Sequence, residues 1–161
     1  MTEAFSVRVQ SEAFDFGQEY DTFVLNDAAA GAVASFVGRV RQENDQTPVR
    51  ALSLEHYPGM TEKVMLQVVN QARERWPLMG ARVVHRVGRL EPGDNIVLVL
   101  TSSAHRHAAL DACAFIMDHL KTQATFWKKE TTSAGQRWIK GRDTDRLAQA
   151  RWHAENTPDE Q

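Results

Sequence analysis

A set of apolar residues at helical spacing, Ala109, Leu110, Cys113, Ile116, Met117 and Leu120, most limits what this chain can fold into. That recurrence predicts a long helix starting at Ala104, with this set as its buried stripe. Ahead of it, Asn95 to Thr101 is a nearly continuous apolar run and reads as a strand. Ser102 and Ser103, between strand and helix, are placed to cap the helix. Behind it, Leu120-Lys121-Thr122 leads into Phe126-Trp127-Lys128-Lys129-Glu130, an aromatic and basic segment. The helix therefore ends by presenting an amine beside bulky neighbours.

The remaining pattern alternates short strands with helices. Phe5 to Val9, Gly31 to Arg41, Val49 to His56 and Ala81 to Leu90 read as strands, and Gln42 to Pro48 as a loop. Within the second of these strands, Gly38 points to a bulge or a close backbone approach. Gly17 to Leu25 reads as a short helix. Another opens after Pro58-Gly59, with Met65, Val68, Val69, Ala72 and Trp76 inward, and stops at Pro77. Phe126 to Thr131 and Arg137 to Lys140 form two short strands, followed by a helix from Asp143 to Trp152 with Leu147 and Ala150 inward. Strands in adjacent pairs interrupted by helices argue an α+β fold with a mostly antiparallel sheet. One domain over residues 1–152 and a polar, disordered tail at 153–161 are expected.

Composition narrows the class. No apolar run approaches the roughly 18 residues needed to span a bilayer, and the N-terminus lacks the layout of a signal peptide. The single cysteine, Cys113, excludes an internal disulfide and fits a reducing, cytoplasmic setting. The net charge of −2 conceals a segregation. Residues 1–30 carry six acids against Arg8, whereas residues 121–142 carry six cations against Glu130, a local balance of +5. Such a cationic stretch favours an anionic partner.

Candidate chemistry gathers in a few places. Lys121 and Lys128, among apolar neighbours and other cations, can serve as acid, base or nucleophile, or can be solvated surface charges. His105 and Arg106, where a strand gives way to a helix, can hold an anion, or can simply be exposed. Arg39 and Arg41 flank Val40, so on a strand their guanidinium groups share a face and can clamp phosphate or carboxylate; the alternative is an exposed edge. Phe126 and Trp127 can stack on a flat heterocycle or belong to the core. His105 and His107 are two residues apart, the wrong spacing for helical chelation of a metal. Cys113 lies on the apolar stripe, which suits packing better than nucleophilic attack.

Taken in order, several stretches resemble one family, the catalytic (large) subunit of molybdopterin synthase. They are Phe36-Val37-Gly38-Arg39-Val40-Arg41, Leu54-Glu55-His56-Tyr57-Pro58-Gly59-Met60-Thr61-Glu62-Lys63 and His85-Arg86-Val87-Gly88-Arg89-Leu90, with Pro92-Gly93-Asp94 and Ser103-Ala104-His105-Arg106. Phe115-Ile116-Met117-Asp118, Leu120-Lys121-Thr122 and Phe126-Trp127-Lys128-Lys129-Glu130 complete the set. The resemblance implies an α/β-hammerhead-like fold and a homodimer in which each copy binds a small ubiquitin-like sulfur-carrier subunit, giving a heterotetramer. The carrier's Gly-Gly C-terminus, as a thiocarboxylate, would deliver sulfur to cyclic pyranopterin monophosphate to build a dithiolene. No cofactor or metal of the chain's own is implied.

Carried over position by position, the resemblance makes Lys121 and Lys128 catalytic. It assigns Arg39, Val40, Arg41, His105, Arg106, Lys129 and Glu130 to substrate binding together with both lysines. Arg142 matches an arginine that reaches toward a neighbouring subunit's pocket. Phe36 and Met117 would shape the pocket for the carrier tail. The rival expectation is a non-catalytic nucleotide- or RNA-binding module using the basic 121–142 segment.

Overall fold

The computed structural model describes residues 3–44, 47–123, 126–132, 135–139 and 143–154. Two sheets organise it. The first has the order β1 (Phe5–Gln10), β5 (Leu78–Arg86), β7 (Asn95–Ser103), β2 (Ala32–Arg39). Its β1–β5 pair is parallel and its other pairs are antiparallel. The second runs β3 (Glu43–Asn44), β4 (Thr47–His56), β8 (Phe126–Thr132), β9 (Gly135–Ile139), with β6 (Gly88–Leu90) also paired to β4. Every pair in the second sheet is antiparallel.

The apolar run of β7 follows from helices on both sides of the first sheet. Val97 and Val99 join Ala81 and Val83 under α2 (Met60–Arg75) and α3 (Arg106–Gln123). Leu98, Leu100 and Val84 face the other way, against Phe14 and against Phe23 of α1 (Phe16–Val24). Successive residues of a strand point to opposite faces, so a strand covered on both must be apolar throughout.

Local chemistry sets the helix starts. Asp15 caps α1 by accepting from the Gln18 N–H at 2.9 Å. At the start of α2 the Glu62 carboxylate reaches back to the Gly59 N–H at 2.6 Å. The helix α3 starts at Arg106, not at Ala104. Ser102 and Ser103 do not cap it: both are buried in β7, where their hydroxyls donate to Asp27 Oδ2 (3.2 Å) and to the Pro77 carbonyl (2.9 Å).

Other expectations are corrected. The run Ala81 to Leu90 is two strands, because Gly88 takes a φ of 86° and carries the chain from the first sheet to the second. The 42–48 loop contains the short strand β3. Leu110 is 58% exposed, and Ala112, Phe115 and His119 join the buried face of α3 in its place. In α4 (Asp143–Ala154), Leu147 is 71% exposed and Ala150 is also exposed. That helix docks through Trp152 instead. Its ring stands edge-on to Trp76 and Phe115, and its Nε1 donates to Asp118 Oδ2 at 2.8 Å. Arg142, Lys140, the side chain of Trp127 and the 155–161 part of the tail lie outside the described residues.

Candidate active site

The direction of α3 decides which residues can meet. It leaves β7 after Ser103, and the Thr101 hydroxyl donates to the Ala109 carbonyl near its start at 2.7 Å. It then packs back along β7 and β2, burying Ala109, Cys113, Ile116, Met117 and Leu120. From Arg106 to Lys121 this return covers roughly 22 Å at ~1.5 Å per residue. Lys121, in the last turn, is thereby carried to the end of the sheet where β2 finishes at Arg39 opposite Asn95. β5 finishes at that same end, with His85 opposite Val97.

The arginine pair is held there by a turn. After the bulge between Gly38 and Arg39, the Val40 N–H donates to the Asp94 carbonyl and the Gly93 N–H donates to the Val40 carbonyl, both at 2.9 Å. Arg39 Nη2 donates to the Gly93 carbonyl at 2.8 Å. Val40 itself is buried in a cluster with Leu52, Leu54 and Leu90, while Arg39 and Arg41 on either side of it are exposed. A Cβ on Gly38 would lie 2.7 Å from Val97 Cγ1, so the bulge and the close approach both occur at this glycine.

The second lysine arrives on β8. Phe126, Lys128 and Glu130 share one face of that strand, with His56, Leu54 and Leu52 directly opposite on β4. Phe126 stacks on the His85 ring at 3.8 Å, Lys128 is half-buried and Glu130 is buried. Lys129 leaves on the other face, 5.5 Å over the exposed Trp138 ring. The two adjacent lysines therefore point into different surroundings.

His105 and Arg106 do not join this group. Both are exposed, beside the start of β2, where a Cβ on Gly31 would lie 2.3 Å from the Ala104 carbonyl oxygen. Ala32 pairs with Ser103 at that end of β2 and Arg39 with Asn95 at the other. Seven strand residues at ~3.3 Å each separate the two cationic pairs by roughly 23 Å within one chain. Phe36, which is 40% exposed, lies on the sheet face that α3 covers, the face against which Met117 is buried.

Two buried groups fix the protonation of this region. Burial pushes the Cys113 thiol up to about 11, so it stays neutral and is not a ready nucleophile. Burial also lowers His85, to about 4, with the nearby charge of Lys128 acting in the same direction. Sequence reasoning passed over His85 as an individual residue, because one histidine at the end of an apolar strand carries no signal of its own.

That shift makes His85 an acid-sensitive point of the fold. Between pH 6.5 and 4 the unfolded chain binds a proton at this position and the folded chain does not, so stability falls as pH drops through that window. The loss amounts to about 3 kcal/mol across it. Burial lowers His119 as well, adding to the slope. Urea unfolding at pH 7 and pH 4.5 should show a shallower pH dependence in His85→Phe than in the parent. Equal slopes would contradict the assignment.

Among the described residues no cluster of His, Cys, Asp and Glu is arranged to hold a metal ion. A cavity of about 510 Å³ lies on the α1 side of the first sheet, lined by Ser6, Arg8, Glu19, Thr22 and Arg82 among others. Glu19 there takes ion pairs from both Arg8 and Arg82, on the opposite side of the sheet from α3.

Fold and site together define an α+β protein that brings an amine, a pair of guanidinium groups and a half-buried second lysine to one end of a sheet. The chain belongs to the family described as MoaE protein, which it matches over residues 9–123. It is 55% identical over 146 residues to the molybdopterin synthase catalytic subunit of Vibrio cholerae, covering 91% of this chain and 97% of that one. To the subunit of the same name from Pseudomonas aeruginosa it is 52% identical over 147 residues, covering 91% and 98%. Among solved structures, the molybdopterin biosynthesis MoaE protein from Burkholderia ambifaria superposes with a TM-score of 0.80 at 47% identity, over 92% of this chain and 97% of that one.

Proposed function

We propose that this chain is the catalytic subunit of a molybdopterin synthase. It receives the C-terminal thiocarboxylate of a small ubiquitin-like carrier, and two such transfers, each leaving the carrier as a carboxylate, pass two sulfurs to cyclic pyranopterin monophosphate to form the dithiolene of molybdopterin. The observation that carries this reading is the delivery of Lys121 and Lys128, from separate elements, to the end of the sheet that holds Arg39 and Arg41. Lys121 acts at the incoming thiocarboxylate, polarising it and moving protons, and Lys128 assists at the pterin carbons. The arginines hold the phosphate. Phe36 and Met117 shape the way in for the tail.

The neutral, buried Cys113 supports an outside source of sulfur, since the only thiol of the chain is not in a form to relay it. The roughly 23 Å between the two cationic pairs supports a site built from two copies, in which His105, Arg106 and Arg142 serve the neighbour's pocket. No helix among the described residues is long and apolar enough to cross a membrane, and we place the reaction in the cytoplasm. The RNA-binding alternative finds no support among the relatives. Lys128 and Lys129 also leave β8 on opposite faces, so residues 126–132 present no continuous basic strip.

The test is reconstitution. Purified chain, thiocarboxylated carrier and cyclic pyranopterin monophosphate should yield dithiolene, detected by oxidation to a fluorescent pterin. A folded chain with loaded carrier that yields none would overturn the reading.

A further inference from the structure

His85 is placed between the elements that bring Lys128 into position. It lies at the end of β5 and is 8% exposed. Its Nδ1 is 2.7 Å from the Arg86 carbonyl oxygen. A carbonyl only accepts, so Nδ1 carries the proton and the ring is a neutral imidazole with a bare Nε2. Its flat face lies on Phe126 with ring centroids 3.8 Å apart and planes 17° from parallel. Phe126 is the first residue of β8, and its ring also lies 6.4 Å from that of His56 of β4. Lys128 follows two residues later on the same face, roughly 7 Å along the strand. The stack therefore ties β5 to β8 one side-chain step before the amine.

We propose that His85 is a positioning residue for Lys128: its ring, stacked on Phe126, fixes where β8 begins and so where the Lys128 amine is presented. This rests on the catalytic reading of Lys128 given above. The physical demand is strict, because a displacement of about 1 Å at a reacting group can cost a hundredfold in rate. Neutrality matters for the same purpose. A protonated ring would set a second positive charge beside Lys128, whose own charge already acts against it together with that of His56. Burial prevents that charge from forming above about pH 4.

The experiment is a double-mutant cycle in single-turnover sulfur transfer with the loaded carrier: parent, His85→Leu, Lys128→Ala and the double variant, with His85→Phe as the conservative control. Leucine fills the space without a flat face, and phenylalanine keeps the face. We expect His85→Leu to lose about tenfold in the rate of transfer with KM for the carrier within about threefold. His85→Phe should recover to within about threefold of the parent. On Lys128→Ala, His85→Leu should cost less than about twofold further, because the group it positions is gone. An equal tenfold loss in both backgrounds, no loss in the parent, or no recovery by phenylalanine would overturn the proposal. Normal transfer by Lys128→Ala alone would instead overturn the catalytic reading on which it rests. Thermal melts establish that each variant is folded, and His85→Gln takes the place of the leucine variant if that one does not melt cooperatively.

Discussion

Lys121→Ala is expected to lose at least a hundredfold in dithiolene formation while binding the carrier with nearly unchanged affinity. The size follows from the kind of work assigned to the amine. Positioned proton transfer and charge stabilisation at a reacting group are typically worth 10²–10⁴-fold, or about 3–5 kcal/mol at 1.36 kcal/mol per tenfold. The structure makes this substitution a clean one. Lys121 is exposed in the last turn of α3, and alanine is the best helix former, so the helix and the core beneath it should persist. Lys121→Arg keeps the charge and changes the geometry, and it should stay well below the parent. Turnover by Lys121→Ala within a few fold of the parent would remove this residue from the chemistry.

A carrier shortened by its last two glycines should dock and yet give no product. Under the proposed reading docking and delivery are separable, because the body of the carrier would meet the outer surface and only its tail would reach the amines. Glycine suits a tail that must pass between packed side chains, since it adds no bulk and takes any backbone conformation. Two extended residues span about 7 Å, and a tail that much shorter leaves its terminal carbon far outside the reacting distance of ~3–3.5 Å. The expected pattern is binding within a few fold of the full carrier, measured by calorimetry, with turnover below detection. Undiminished turnover with the shortened carrier would mean that the tail is not what enters.

Legibility in the sequence followed physical locality. β7, α2 and α3 could be read because their apolar spacing reflects burial on both faces of a strand or on one face of a helix. The arginines around Val40 could be read for the same reason, since alternation survives as exposed, buried, exposed even though β2 ends at Arg39. The break at Gly88 could not, because a single glycine between Val87 and Arg89 gives no local sign that the chain changes sheets. Leu147 misled because a helix docked by one tryptophan needs no apolar stripe. Ser102 and Ser103 misled because their hydroxyls are taken by Asp27 and Pro77, both distant in sequence. Across the candidate site, the distribution of the residues over the fold was not legible. Nothing local says that His105 and Arg106 lie at the opposite end of the sheet from Arg39, or that Lys129 turns away from Lys128.

Amine footprinting of the complex asks directly whether two lysines from separate segments share one destination. Acetylation of Lys121 and Lys128 would be quantified by mass spectrometry with no carrier, with full-length carrier and with carrier lacking its last two glycines. Both lysines should be protected together by the full-length carrier, and neither to the same degree by the shortened one, while Lys129 stays equally reactive throughout. Protection of only one of the pair, or equal protection by both carriers, would contradict the convergence of the two amines on the tail.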